Sequence, residues 1–269
     1  SAFRRDLVNL VRTLSGHKPR DFDSEQPFGK SGAVARDTKD KDLSNAPSRA
    51  RGEIVKKPLP DAGHIQLRKL SRPNSAGYSA LAIGSSTGGP QALFAVLKLC
   101  NNLKVPIFIT QHMPPTFTKI LAQHIKQNTG IDCLEAEDGM MVKNGQAYVA
   151  PGGIHLTVQK QENNTFIKLK DDPAENYCKP SVEPMMRSLA EVYGNRLVGV
   201  ILTGMGHDGF EACKKFVELD APLIAQDKAT SVVWGMPGAV ASAGLCTDVL
   251  PLDKIGDKVN TYMGIKAAA

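Results

Sequence analysis

The feature that most constrains the fold is a repeated unit: an apolar run, a turn of small or polar residues, and then a segment with helical spacing. The first unit joins the run 78–83 to the turn 84–90, Gly-Ser-Ser-Thr-Gly-Gly-Pro. Further units begin with the apolar runs 105–110 and 197–203. Strands that alternate with helices form mostly parallel sheets covered on both faces. We therefore predict an α/β fold, a three-layer doubly wound sheet with a small antiparallel excursion.

The same reasoning predicts individual elements further along the chain. The helical segments are 90–99, 116–127, 181–193 and 210–219, and the strands are 105–110, 146–150, 154–158, 197–203 and 221–226. The runs 146–150 and 154–158 flank Pro-Gly-Gly, and we predict that they form the antiparallel excursion.

Composition is that of an ordinary globular domain. Of 269 residues, 42% are hydrophobic and 22% are charged. We find no apolar run of the ~18–20 residues that a membrane span needs, and no signal-peptide pattern at the N-terminus. The five cysteines include no C-x-x-C pair, which favours a reducing compartment over disulfides. We expect a cytoplasmic protein without membrane insertion.

The net charge of +6 is unevenly distributed. Residues 1–77 carry +7, and the remaining residues carry −1. The predicted sheet domain therefore has no excess of positive charge for nucleic acid, and we predict no nucleic-acid partner.

The chain divides into three parts by composition. Residues 1–15 have apolar side chains at helical spacing, which predicts a terminal helix, the remnant of an upstream domain. Residues 16–77 are polar, charged and rich in Pro, Ser and Gly, as in flexible linkers. Residues 78–269 form the predicted catalytic domain.

Three chemistry-bearing residues each follow the end of a predicted strand: Ser86, His112 and Asp208. The carboxyl ends of parallel strands share one edge of a sheet, and ligands bind there. A serine nucleophile needs a histidine base, and a carboxylate orients that histidine. Ser86 also centres a Gly-x-Ser-x-Gly pattern, typical of an exposed nucleophile on a tight turn. The three residues together predict a Ser-His-Asp hydrolase site.

Each residue also has a plainer interpretation. Ser86 alone is equally well explained as a helix cap, and His112 and Asp208 are each typical of turns. A phosphate-binding loop is excluded, because no Lys-Ser/Thr follows Gly89 and G-x-G-x-x-G is absent. The chain order Ser, His, Asp differs from that of α/β-hydrolases. Because all three residues follow the ends of predicted strands, the catalytic interpretation is favoured over these plainer ones.

Other polar residues give weaker signals. His207 adjoins Asp208 and lines the site or faces solvent, whereas His155 and His124 are interpreted as structural or exposed. Trp234 either lines the cleft or packs beneath it. No His, Cys, Asp and Glu residues have the sequence spacing of metal ligands, so we predict no metal.

Several blocks of the chain closely resemble the catalytic domain of chemotaxis protein-glutamate methylesterases of the CheB type. They occur in order over about residues 78–262. The blocks are Ala82–Gly89, Gln111–Met113, Tyr148–His155, Leu202–Gly209 and Gln226-Asp227 through Gly235-Met236-Pro237. A set of blocks in one order is a stronger signal than one serine motif.

The resemblance implies hydrolysis of glutamate methyl esters on chemoreceptors, and deamidation of receptor glutamines, without a cofactor. By position, Ser86 is the nucleophile, His112 the general base and Asp208 the residue that orients it. Thr87 lies beside the nucleophile, and the backbone N–H of Met205 is an oxyanion-hole donor. His207 stands where many members of the family have Asn.

The resemblance also implies partners: the cytoplasmic helices of chemoreceptors and, for a full-length protein, the receiver domain and histidine kinase of the pathway. It further implies that residues 1–15 are the remnant of such an upstream receiver domain. Other functions stay open at this point. A related esterase or amidase with a different protein substrate fits the same three residues. A catalytically silent adaptor would keep the fold without the chemistry, and a nucleotide-binding module is disfavoured by the missing phosphate loop.

Overall fold

The computed structural model describes residues 65–71, 74 and 77–265. The predicted terminal helix, residues 1–15, lies outside the described residues. So does most of the predicted linker, residues 16–77, and both assignments stay predictions.

The fold is built on a seven-stranded, all-parallel sheet. Its strand order within the described residues is β3-β4-β2-β1-β7-β8-β9, and β5 and β6 form a separate antiparallel hairpin. The strands are β1 (Ala80–Ser85), β2 (Ile107–Gln111), β3 (Asp132–Glu135), β4 (Gln146–Val149), β5 (His155–Gln161), β6 (Asn164–Lys170), β7 (Leu197–Ile201), β8 (Leu223–Gln226) and β9 (Asp248–Leu250). The α/β class with a small antiparallel excursion is confirmed.

Helices cover both faces of this sheet. They are α1 (Gly89–Leu99), α2 (Pro115–Thr129), α3 (Val182–Tyr193), α4 (Phe210–Glu218), α5 (Met236–Ser242) and α6 (Leu252–Tyr262), with a short 3₁₀ turn at Gly194–Arg196. None of the helices in the described part of the chain is long and apolar enough to cross a bilayer.

Side chains that point alternately to the two faces of the sheet form two separate hydrophobic cores. In β1, Ala80 and Ala82 face the core beneath α3, α4 and α5, whereas Leu81 and Ile83 face the core beneath α1, α2 and α6. Successive side chains of a strand point to opposite faces, so a continuous apolar run is what a doubly covered sheet requires.

The strand order reverses beside β1. The chain runs outward from β1 through β2 on one side, and it returns to place β7 on the other side of β1. This reversal opens a crevice at the carboxyl ends of β1 and β7, the usual ligand position in open α/β sheets. The site is therefore expected after Ser85 and after Ile201.

One detail of the strand prediction was wrong. Residues 146–149 do not pair with 155–158; they lie in the main sheet, parallel to β2 and β3. The antiparallel partner of β5 is β6. Short apolar runs show that a strand exists but not which strand pairs with it.

The described residues 65–71, within the predicted linker, contact the sheet domain. The Arg68 backbone N–H donates to Cys246 O at 3.0 Å, and its Nε donates to Leu245 O at 2.8 Å. Arg68 also lies 3.8 Å from the Asp220 carboxylate. These partners precede β8 and β9, so the segment lies at the amino-terminal edge of the sheet, opposite the crevice.

Candidate active site

Ser86 lies in the tight turn between β1 and α1. The turn requires glycine at Gly88, where φ is +79°. The Ser86 N–H donates to Thr203 O at 3.0 Å, which ties the turn to the chain beyond β7. A Cβ on Gly204 would lie 2.8 Å from Ser86 Cβ, so only glycine allows this approach. Ser86 is half-buried and stands at the positive end of the α1 dipole.

The Gln111 side chain joins the nucleophile turn to the end of β2. Its Oε1 accepts from the buried Ser85 hydroxyl at 2.7 Å. Its Nε2 donates to Ser86 O at 3.0 Å and to His112 O at 3.1 Å. One amide therefore fixes the backbone of both Ser86 and His112 relative to each other.

The structure brings His112 and Asp208 into direct contact. His112 Nε2 lies 2.7 Å from Asp208 Oδ2, and the Asp208 side chain is 2% exposed. A carboxylate can only accept, so in the neutral ring Nε2 carries the proton and Nδ1 is the nitrogen that can act as a base. Asp208 thus sets the tautomer of His112.

Asp208 accepts hydrogen bonds from three further donors. The Ser181 hydroxyl donates to Oδ1 at 2.6 Å, and Asn176 Nδ2 donates to the same oxygen at 2.9 Å. The backbone N–H of Val182 donates to Oδ2 at 2.7 Å. With both oxygens occupied, the carboxylate is held in a single orientation at the start of α3.

His155 supports this arrangement from below. It is fully buried; its Nδ1 accepts from the Ser181 N–H at 3.1 Å, and its Nε2 donates to Pro173 O at 3.0 Å. Ser181 in turn holds Asp208. Of the two interpretations of His155, structural or exposed, the structure supports the structural one, because the buried ring holds Ser181 next to Asp208.

The charges of the pair follow from these contacts. Burial alone would lower the pKa of His112, but hydrogen bonds to Asp208 and Cys178, with the negative charge of Asp208, raise it to about 9. Burial alone would raise the pKa of Asp208, but hydrogen bonds from His112, Ser181, Asn176 and Val182 lower it. These contacts favour the protonated ring, and His112 can accept a proton only in molecules in which Nδ1 has lost its own.

Cys178 lies at the other nitrogen of the histidine. Its Sγ is 3.5 Å from His112 Nδ1. Among the described residues, the partners of the His112 ring are Asp208 and Cys178, and no hydrogen bond joins Ser86 Oγ to it. The thiol therefore contacts the ring nitrogen that Asp208 leaves unoccupied.

Two backbone donors lie in the turns that meet at Ser86, one turn after β1 and the other after β7. Within the described residues, the N–H groups of Thr87 and Met205 donate to no protein acceptor. Met205 follows Gly204, which contacts the nucleophile turn, and its side chain is 72% exposed. Unpaired N–H groups beside a nucleophile can stabilise a developing oxyanion.

The remaining candidates lie further out. His207 is exposed beside Asp208, and His124 lies on α2. Trp234 packs on Gly238 and donates its Nε1–H to Gln226 O at 3.1 Å, so it supports the loop beneath the site.

Three large apolar side chains are exposed around Ser86, His112 and Asp208. Tyr177 is 103% exposed next to Cys178, and Val232 is 70% exposed against Gly88. Met205 completes this set, which we call the apolar rim (Tyr177, Met205 and Val232). Exposed apolar groups that surround a cleft are typical of a surface that binds another protein.

Sequence reasoning missed four side chains of the site. In the sequence, Gln111 is marked only as the neighbour of His112, and Ser181 only as the start of a predicted helix. Asn176 and Cys178 lie in a turn with no apolar pattern, where Asn176 and Tyr177 have positive φ angles of 51° and 63°. Nothing in their spacing indicates that this turn folds over His112.

Both the sequence and the fold of this chain match a known protein family. The profile of the family "CheB methylesterase" matches residues 81–259. The Thermotoga maritima CheB methylesterase catalytic domain superposes with a TM-score of 0.66 at 40% identity, over 68% of this chain and 97% of that structure.

Curated relatives extend the similarity. A protein-glutamate methylesterase/protein-glutamine glutaminase of group 2 operon from Rhodospirillum centenum is 44% identical over 99% of this chain and 66% of its own length. A protein-glutamate methylesterase/protein-glutamine glutaminase from Azospirillum brasilense is 45% identical over 97% of this chain and 63% of its length. The chain thus spans slightly less than two thirds of these relatives, and it belongs to the CheB methylesterase family.

Proposed function

We propose that this chain hydrolyses glutamate methyl esters on chemoreceptors and releases methanol. The observation that carries the proposal is the hydrogen bond between His112 and the buried Asp208, beside a serine turn at the switch point of the sheet. Family membership supplies the substrate class. The cytoplasm, where the receptor helices of the proposed substrate lie, is the compartment that this assignment implies.

In the proposed mechanism, Ser86 Oγ attacks the ester carbonyl carbon and its proton passes to His112 Nδ1. The tetrahedral intermediate collapses, the C–OCH₃ bond breaks, and the imidazolium protonates the departing methoxide. Water then attacks the acyl-enzyme with His112 again as base, which returns the free serine and a glutamate carboxylate. Asp208 keeps its charge and stabilises the imidazolium throughout.

The oxyanion of each intermediate needs donors at fixed positions. We assign this role to the Met205 N–H, with the Thr87 N–H as its neighbour. Such a donor contributes about 3–4 kcal/mol to the transition state. Both are backbone groups, so they require no reorganisation during the reaction.

Glutamine deamidation is a second candidate activity of the same residues. The names of the relatives include protein-glutamine glutaminase. An amide carbonyl would follow the same steps, with ammonia leaving in place of methanol.

The test is methanol release from radiomethylated receptor membranes, with Ser86→Ala compared with the parent. We expect a loss of at least about 10³-fold, the scale for removal of a triad nucleophile. Ser242→Ala, an exposed serine at the end of α5, is the matched control and should keep the parent rate.

Two results would contradict the assignment. Equal release by Ser86→Ala and the parent would remove Ser86 from the mechanism. No release by the parent, together with no labelling by a serine-reactive phosphonate, would favour the silent adaptor.

A further inference from the structure

The turn that contains Cys178 brings a third potential metal ligand to the catalytic pair. One donor atom each from His112, Cys178 and Asp208 lies within 4.8 Å of the others. The sequence positions are 112, 178 and 208, so the spacing of the residues in the chain gives no sign of this cluster.

The two ring nitrogens of His112 face different partners. Asp208 occupies Nε2 and is itself saturated by Ser181, Asn176 and Val182. The free electron pair of the neutral imidazole is therefore at Nδ1, on the side of Cys178 Sγ. Asp208 behind the ring matches the carboxylate–histidine–metal arrangement, in which the carboxylate orients the ring and increases its basicity.

The separation of the two free donors suits a tetrahedral ion. With Zn–N and Zn–S bonds of ~2.0–2.1 Å and ~2.3 Å, the two ligand atoms lie about 3.5 Å apart. The observed Sγ–Nδ1 distance is 3.5 Å.

Charge and access also fit. A thiolate and the Asp208 carboxylate balance the two positive charges of a divalent ion. Cys178 is partly exposed, whereas the other four cysteines are buried. Zinc binds well to imidazole and thiolate ligands, whereas magnesium and calcium prefer oxygen ligands.

We propose that His112 Nδ1 and Cys178 Sγ form an inhibitory site for a zinc-class divalent cation. The thiol releases its proton to solvent as the ion binds, and water fills the remaining coordination positions. Binding occupies the nitrogen that must accept the Ser86 proton, so the bound enzyme is inactive. With two protein ligands, the site is weaker than a structural zinc site and the inhibition is reversible. This inference rests on the proposed function for its inhibitory effect, but not for binding itself.

The first measurement is cobalt binding to the tag-free chain in a non-chelating reductant. Cobalt replaces zinc as a spectroscopic probe, and a thiolate ligand gives an intense near-ultraviolet charge-transfer band. We expect that band for the parent and for Cys133→Ala, the matched control at a buried cysteine on β3. Cys178→Ala and Cys178→Ser should both lack this band. Two different substitutions are used so that a folding defect in one variant does not decide the result.

The second measurement is zinc inhibition of methanol release, with each variant normalised to its own zinc-free rate. We expect Cys178→Ala to need at least about tenfold more zinc than the parent or Cys133→Ala for half-inhibition. A chelator should restore the parent rate.

The two measurements separate this site from the proposed reaction. Equal zinc sensitivity of Cys178→Ala and the parent, or a parent without the cobalt band, overturns the site. A parent with the band but without hydrolysis supports the site and contradicts the proposed reaction instead.

Discussion

At the scale of single residues, the site depends on which nitrogen of His112 is free. Asp208 fixes the proton on Nε2, and Cys178 contacts Nδ1. The two contacts raise the pKa of the ring to about 9. A base must be neutral to accept a proton, so the same contacts that orient His112 also keep it protonated at neutral pH.

This gives a prediction for the pH dependence. The value of kcat/KM reports the free enzyme, and it should rise as His112 loses its proton. Because the pKa is raised, we expect the rise to be centred near pH 9 rather than near 6.5. Cys178→Ala removes one of the contacts that raise the pKa, so its midpoint should move to lower pH.

The measurement is methanol release across pH in the presence of a chelator, so that metal does not interfere. Cys133→Ala should follow the parent, because that cysteine does not contact His112. A parent midpoint near 6.5, or an unchanged midpoint in Cys178→Ala, would show that the contacts do not control the base.

Gln111 carries a second prediction at this scale. Gln111→Ala removes the bonds to Ser86 O and His112 O and leaves the buried Ser85 hydroxyl without its acceptor. We expect kcat to fall by up to about 10²-fold, because small displacements of reacting groups are costly. KM should change little.

Ser85→Ala is the matched control for that variant. It removes the bond to Gln111 Oε1 and leaves the two backbone contacts of Nε2 in place. The kcat of Ser85→Ala should therefore lie close to that of the parent. A KM effect in Gln111→Ala without a kcat effect would contradict a positioning role.

At the scale of elements, a buried carboxylate joins two helices beneath the site. Glu183, on α3, is 2% exposed, and its oxygens accept from the backbone N–H groups of Glu211 and Ala212 at 3.0 and 2.6 Å. These donors are the unsatisfied first-turn groups of α4. The side chain therefore fixes α4, and the Asp208 turn before it, against α3.

Glu183→Ala should destabilise the fold by roughly 2–4 kcal/mol, because two buried N–H groups lose their acceptor. Glu183→Gln retains one acceptor oxygen and should lose less. Glu191→Ala, an exposed glutamate on the same helix, should stay within about 0.5 kcal/mol of the parent. Urea unfolding of the three variants measures the difference, and equal stabilities would remove Glu183 from the helix contact.

Some strands and turns could be predicted from the sequence, and others could not. Apolar runs followed by small residues located β1, β2 and β7, and with them the positions of Ser86, His112 and Asp208. Pairing was less predictable, since the four-residue β4 has no pattern that distinguishes a main-sheet strand from a hairpin. The turn around Cys178 was invisible, because its position follows from the hydrogen bonds to Asp208 and not from any periodicity.

At the scale of the whole molecule, the two edges of the sheet differ. The crevice edge bears Ser86, His112 and Asp208 within the apolar rim, where Tyr177 and Val232 are largely exposed. The opposite edge holds residues 65–71 through Arg68. A receptor helix, the substrate proposed above, would contact the surface around the crevice as well as Ser86, His112 and Asp208.

The apolar rim should therefore contribute to receptor binding. Val232→Ser removes exposed apolar surface beside Gly88, and we expect it to raise KM for receptor membranes several-fold with a smaller change in kcat. Val217→Ser is the matched control, because Val217 is 41% exposed near the opposite edge and should leave both constants unchanged. The readout is the initial rate of methanol release across receptor concentrations. A fall in kcat at constant KM would indicate that Val232 supports the Gly88 turn instead of binding the receptor. Equal kinetic constants for the two valine variants would show that the apolar rim does not contribute to receptor binding.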